Sequence, residues 1–183
     1  MKKLLPIVFF CFSAIGFAQD DPYPQDVNKK HEVSMNALTL IVSEWIDLSY
    51  EYLINEESSF GIDVQFGLDN NNDFESYRNF SITPNYRRYF SNKYARGFYV
   101  EAFGMIHSTE EDIDIFLSST NTYTVEVDKR TDFSLGISVG GKFVTKNGFV
   151  ADVFLGVGRN LFNSENDFSE VAGRVGISLG YRF

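Results

Sequence analysis

The sequence predicts an all-β fold, an eight-stranded antiparallel up-and-down transmembrane barrel with short periplasmic turns and longer extracellular loops. Three observations predict it. Apolar residues recur with a period of two from His31 to the C-terminus. The connections between these segments are short and long by turns. The chain also combines 19 Phe, 10 Tyr and one Trp with a formal charge of −9, a heavy aromatic load for so acidic a protein. Its 183 residues suffice for one domain. Acidic excess without a Lys/Arg stripe excludes nucleic acid as a partner. A slightly polar mean hydropathy excludes a bundle of transmembrane helices.

The N-terminus comes first. Met1, Lys2 and Lys3 form a positive start, residues 4–17 are apolar, and Gly16 and Ala18 stand at −3 and −1 of a cut before Gln19. Residues 1–18 are expected to be a cleaved signal peptide, since the run is shorter than the ~18 to 20 residues of a spanning helix. Val8, Phe9 and Phe10 are too bulky for a lipoprotein cut before Cys11. Cleavage removes the lone Cys and two Lys, which takes the charge from −9 to −11 and leaves no thiol or disulfide chemistry. Residues 19–30, with Pro22 and Pro24, read as a flexible periplasmic linker, and residues 31–183 as the barrel.

Four strands are read directly from alternation. Phe60, Ile62, Val64, Phe66 and Leu68 oppose Gly61, Asp63, Gln65 and Gly67. Phe133, Leu135, Ile137 and Val139 oppose Ser134, Gly136, Ser138 and Gly140. Phe149, Ala151, Val153, Leu155 and Val157 oppose Val150, Asp152, Phe154, Gly156 and Gly158. Val175, Ile177, Leu179, Tyr181 and Phe183 oppose Arg174, Gly176, Ser178, Gly180 and Arg182. Segments 31–43, 45–55, 79–91 and 97–107 alternate less regularly and complete eight. Connections 55–58, 92–96 and 145–148 are tight, the last through Asn147-Gly148. Connections 69–77, 108–132 and 160–172 are long, while the first, near Glu44 and Trp45, is short. Both termini then share the short-turn end, as an even-stranded outer-membrane barrel requires.

Alternation alone leaves the facing open, because a soluble lipocalin-like barrel with an apolar lumen also alternates. The polar face carries Gly and Ser rather than Lys and Glu, which suits a cramped eight-stranded lumen. Aromatic residues of the apolar phase gather near the short turns as a girdle: Tyr52, Phe60, Tyr86, Phe90, Phe98, Phe143 and Phe149, with Tyr181 and Phe183. The long loops hold thirteen acids, Asp132 among them, against Arg78, Lys129 and Arg130. Localisation in the outer membrane follows as the expectation, with lipid and lipopolysaccharide as surroundings. The inward phase holds Glu32, Asp47, Glu51, Asp63, Glu101 and Asp152 with Arg87, Lys142, Arg174 and Arg182, expected to pair as an interior ion-pair network. Such a network fills the lumen; the contrary reading is a narrow channel.

The closing Tyr181-Arg182-Phe183 resembles the C-terminal signal by which the barrel-assembly machinery recognises outer-membrane barrels, with Tyr181 and Phe183 as its carriers and Ser178 where Gly is common. Together with Leu48-Ser49-Tyr50-Glu51-Tyr52, the Gly-Arg-Asn of 158–160 and the final Gly-Tyr-Arg-Phe, it also resembles an uncharacterised family of small outer-membrane barrels of Bacteroidetes, a domain of unknown function. That resemblance implies an architecture of the OmpA/OmpX type and supplies no catalytic residues.

For function, the sequence predicts a non-enzymatic structural or adhesion-like protein, a monomer acting through acidic extracellular loops. Ile113, Ile115, Leu117, Tyr123, Val125 and Val127 alternate around residues 118–121, so the fifth and sixth strands should continue outward as a hairpin, and loop 108–132 is the candidate contact for an extracellular protein partner. Some small barrels are lipid hydrolases or acyltransferases, but His107 and Ser108 are adjacent and point to opposite faces, and His31 has only Ser34 nearby. No cofactor and no metal site are expected: in the Asn-rich run from Asp69 to Asp73, Phe74 stands where a calcium loop needs Gly. Pro84 falls inside the fourth strand, where a bulge is expected.

Overall fold

Alternating apolar and polar residues make a strand with two unlike faces, and here eight such strands close on one another. The computed structural model describes residues 28–67, 78–117, 122–161 and 171–183. Among them the strands are β1 (His31–Asn36), β2 (Trp45–Asn55), β3 (Ser58–Gly67), β4 (Arg78–Tyr89), β5 (Gly97–Leu117), β6 (Thr122–Val144), β7 (Phe149–Asn160) and β8 (Val171–Arg182). A helix, α1 (Ala37–Ser43), follows β1. Each strand pairs antiparallel with the next and β1 closes on β8. The two ends of the barrel chain are stitched together by His31 N–H to the Phe183 carbonyl at 3.0 Å and Phe183 N–H to the His31 carbonyl at 2.8 Å.

The facing is the inverse of an ordinary water-soluble core. Leu155 is 64 % exposed, and Ile62, Ile106, Ile137 and Val153 are likewise open on the outer wall. Arg182 and Glu101 have no exposed surface at all. The arrangement with an apolar lumen is not the one the chain adopts. On the outside, the aromatic residues of the short-turn end stand in cross-strand rows: Tyr52 opposite Phe60, Phe60 opposite Tyr86, and Phe149 opposite Tyr181. Phe90 and Phe98 meet at a centroid distance of 6.1 Å, and Phe143 is exposed.

Several expectations are corrected. The first strand does not run over 31–43: β1 stops at Asn36, and residues 37–43 wind into α1. The reason is local. The Asn36 side chain accepts the N–H groups of Leu38 and Thr39 as a helix cap, and residues 37–42 are apolar almost without alternation, so they cannot make a two-faced strand. Glu44 ends the helix with a left-handed φ of 55°. The fourth strand has no bulge at Pro84. Ile62 pairs with Pro84 on the β3 side, and on the β5 side Ile82↔Ile106 and Asn85↔Phe103 keep one offset. That offset sets Gly104 across from Pro84 on the β5 side, and the ladder passes over the missing N–H without a shift of register. Register shifts occur instead at Leu53/Asn55 and Arg78/Phe80.

β5 and β6 pair continuously from Gly97↔Lys142 to Leu117↔Thr122. Their described neighbours stop earlier, at Arg78↔Thr109 for β4 and Ser134↔Asn160 for β7, so the hairpin outruns the rest of the sheet. Asp132, grouped above with loop acids, is a buried lumen position opposite His107, because the strand phase continues beyond Phe133. The expected signal peptide (residues 1–18), most of the expected linker, Leu68, the Asn-rich run after it, residues 118–121 and the acids of 162–170 lie outside the described residues.

Candidate functional site

The lumen gathers the charged residues that the inward phase predicts. Strands β2, β4, β5 and β7 each project one side chain to a common centre. Arg87 binds Glu51 at 2.8 Å and Asp152 at 3.0 Å through one terminal nitrogen, and Glu101 at 2.7 Å through Nε. Lys142 bridges Glu51 at 2.6 Å and Glu32 at 2.7 Å. Arg182 holds the other Glu32 oxygen at 2.6 Å. Toward the loop end, Arg174 ties Glu101 at 3.0 Å to Asp63. All of these charged groups are withdrawn from solvent, and unpaired charge there would be costly, so the network is mutually dependent.

Neutral residues complete it. Tyr89 donates to Glu51 at 2.6 Å and Tyr99 to Asp152 at 3.0 Å, while Ser138 donates to Glu101 at 2.9 Å and Asn85 to Asp63 at 3.0 Å. Arg87 also lies over the Tyr99 ring at 4.6 Å. These partners were missed in the sequence, although Tyr89 and Tyr99 stand in the same phase as the charges. The glycines opposite them explain the space. A Cβ on Gly140 would lie 2.5 Å from the Tyr99 hydroxyl, and the Phe103 ring lies equally hard against Gly136.

The short-turn end is closed from below. The turn 90–96 folds under the barrel: Ala95 is fully buried among Leu53, Tyr89 and Tyr99. Its N–H donates to the Glu56 carbonyl at 2.7 Å and its own carbonyl accepts from Arg182 at 2.8 Å.

Near the loop end lies a cavity of about 120 Å³. Its inner wall includes Asp63, Gln65 and Thr83, and its outer side is formed by Thr39 and Ser43 of α1, Trp45 of β2 and the backbone run from Gly173 to Val175 of β8. Asn36 holds the corner: it donates to Asp47 at 3.1 Å and to the Val175 carbonyl at 3.2 Å.

Each histidine points away from the serine near it in sequence, as alternation requires for His107 and Ser108. His31 faces outward against Tyr50 Oη at 2.7 Å, whereas Ser34 points to the lumen. His107 points inward, away from Ser108, and its Nε2 lies 3.1 Å from Ser134 Oγ and 3.3 Å from Asn160 Oδ1. Neither Ser134 nor Asn160 is read from the sequence as a partner of His107; the cross-strand register of β5, β6 and β7 brings them together. Ser134 has no exposed surface and donates to Asn160. Among the described residues no group of three His, Cys, Asp or Glu is placed to hold a metal ion.

A family model described as a protein of unknown function (DUF3575) matches residues 7–171. No curated protein and no solved structure matches the chain.

Proposed function

The chain belongs to the DUF3575 family, whose function is unknown, and from that premise we propose that it is an integral outer-membrane barrel, non-enzymatic, with a structural or surface-interaction role. One observation carries the reading: the outer wall is apolar around all eight strands while the ionised groups are inside. A water-soluble barrel would expose far more apolar surface than the few hundred Å² such proteins tolerate. In lipid the same surface is satisfied, the closed ladder leaves no strand edge in the hydrocarbon, and the aromatic rows sit at one interface. Tyr181 and Phe183, exposed on the last strand, are the proposed contact for the assembly machinery. The barrel acts as a monomer, and the acidic loops face lipopolysaccharide.

Fractionation of cells after an alkaline wash tests this, together with the mobility of the unheated protein on a detergent gel. Membrane retention and a heat-dependent shift are the expected results; recovery in the soluble fraction overturns the reading in favour of a periplasmic barrel.

The adhesion-like role rests on the β5–β6 hairpin, whose two edges extend beyond their described neighbours. Such edges can accept a partner strand. Deletion of residues 111–129 removes the extension without entering the lumen. Loss of cell or matrix binding supports the role, and unchanged binding sinks it.

A further inference from the structure

The long loops are rich in acids, and the short-turn end has the opposite balance. Among its described residues Lys29, Lys30, Lys93 and Lys146 stand against Glu56, since Arg88 and Glu57 pair with each other at 2.6 Å. One of these cations, Lys29, is fixed against the outer wall. The chain entering β1 is stitched to the barrel, because the Lys30 carbonyl accepts the Leu53 N–H at 2.8 Å and His31 pairs with Phe183. From that anchored backbone the Lys29 ammonium reaches the Tyr181 hydroxyl, to which it donates at 3.5 Å, and lies 5.1 Å from the centre of the same ring. It extends to the β6–β7 turn, where a Cβ on Gly148 would lie 3.5 Å from Lys29 Nζ. Among the described residues no carboxylate pairs with Lys29 or with the exposed Lys30. Beside this ammonium the wall is apolar: Val33, Tyr181 and Phe149 form one cross-strand row, and all three are exposed.

We propose that Lys29, Lys30 and Tyr181 bind the headgroup phosphate of an acidic phospholipid whose acyl chains lie along the Val33–Tyr181–Phe149 row. The inference deepens the outer-membrane reading and rests on it. Charge selects the headgroup. A phosphodiester offers one negative charge and oxygens that only accept, which matches an ammonium and a phenol hydroxyl as donors. A zwitterionic lipid brings the same phosphate together with a cation, which would then stand beside two lysines. The wall selects the source of the phosphate. An anion carried on acyl chains covers exposed Phe149 and Tyr181, whereas a free phosphate gains only a screened contact with exposed lysines. Depth agrees with this, because interfacial tyrosine rings settle at the headgroup level and a lysine stem lies along apolar surface while its charge stays at the polar boundary. The barrel thus has unlike ends, with acidic loops on one side of the membrane and a basic corner seated in an anionic leaflet on the other.

Purified protein in neutral detergent micelles is titrated with phosphatidylglycerol, phosphatidylethanolamine and phosphatidylcholine of identical acyl chains, and with glycerol phosphate as a headgroup without chains. Native mass spectrometry counts what the barrel retains. Phosphatidylglycerol should be held at least about fivefold more tightly than either zwitterionic lipid, the factor that one lysine near an anionic lipid contributes. Glycerol phosphate should not be retained at the same concentration. Lys29→Gln should weaken phosphatidylglycerol binding about fivefold, whereas Lys93→Gln, the same change of charge in the turn 90–96, should leave it unchanged. The headgroup series uses the unaltered protein and needs no variant to fold. Equal retention of the three lipids, retention of glycerol phosphate as strong as that of the lipid, or equal losses in Lys29→Gln and Lys93→Gln would each overturn the proposal. Lipid retention and cell fractionation are separate readouts: a barrel that fractionates with membranes and shows no headgroup preference fails this proposal alone, and one recovered in the soluble fraction fails the membrane reading.

Discussion

The backbone N–H of Ile177 donates to the side-chain oxygen of Asn36 at 3.1 Å, across 141 residues of sequence. The same Asn36 side chain donates to the Val175 carbonyl and caps α1 through Leu38 and Thr39. One amide therefore continues the β8 ladder by a step after β1 has ended, and begins the helix that replaces the strand.

Asn36→Ala should destabilise the barrel by about 2 to 4 kcal/mol. Loss of the cap costs about 1 kcal/mol, and the stranded β8 groups about 1 to 3 kcal/mol. Asn36→Asp should recover only part of this, since it keeps the acceptor but loses the donor and sets a carboxylate against Asp47. Urea unfolding in lipid vesicles, followed by Trp45 fluorescence, measures both; a variant as stable as the parent would show that packing alone holds the corner.

Arg87 is the single cation shared by Glu51, Glu101 and Asp152. Arg87→Met removes it while leaving three carboxylates out of water, and should cost about 3 to 5 kcal/mol, the range for breaking a buried pair from one side. Arg87→Lys should recover less than half, because an ammonium on a single stem cannot reproduce a fork that reaches three acids. Adding Asp152→Asn to Arg87→Met should restore part of the loss by discharging the acid that, among the described residues, forms no second ion pair, whereas Glu51 keeps Lys142 and Glu101 keeps Arg174. The unfolding midpoints of the three variants check the order, and additivity of the double variant would contradict a coupled network.

Gly140→Ala should cost about 1 to 3 kcal/mol, the usual range for overpacking a filled interior. The added methyl would sit 2.5 Å from the Tyr99 hydroxyl and 2.8 Å from the Val153 carbonyl, and the latter is backbone. Gly140→Ala combined with Tyr99→Phe should recover the hydroxyl clash and leave the backbone one. Gly173→Ala, at a site with open space, is the control and should be neutral. Equal effects at 140 and 173 would mean that the tyrosine does not need the gap.

Much of this was legible in the chain because a period of two needs no tertiary knowledge: the phase that placed Glu51, Arg87, Glu101 and Lys142 inside is a property of a strand alone. Alternation does not say which charges meet. The sharing of Glu32 between Lys142 and Arg182 depends on barrel closure, which sets β1 against β8. Ser134 beside His107, 27 residues away, depends instead on the register of the β5–β6 hairpin. The end of β1 was misread because Ala37 to Val42 is apolar except for Thr39, and an apolar run is compatible with strand or helix; Asn36 as a cap was the local signal. Pro84 was misread because its rule considers the missing donor alone. The strand keeps its register through Pro84, with Gly104 across from it on β5.

A filled lumen should not conduct. Arg87 spans the cross-section by binding acids from β2, β5 and β7, and beneath it Lys142 and Arg182 share Glu32. Below these the turn 90–96 closes the end, with Ala95 buried and its carbonyl bound to Arg182. An ion on this path would have to part several charge pairs, each about twice as strong as a neutral hydrogen bond. Planar bilayers containing the purified barrel should therefore stay at baseline, with no reproducible unitary step. Arg182→Ala loosens both the Glu32 pair and the hold on the turn, and should produce brief, irregular openings before any stable pore. Stable channels from the unaltered protein would refute the plug, and would make the same chain of charges a conduction path.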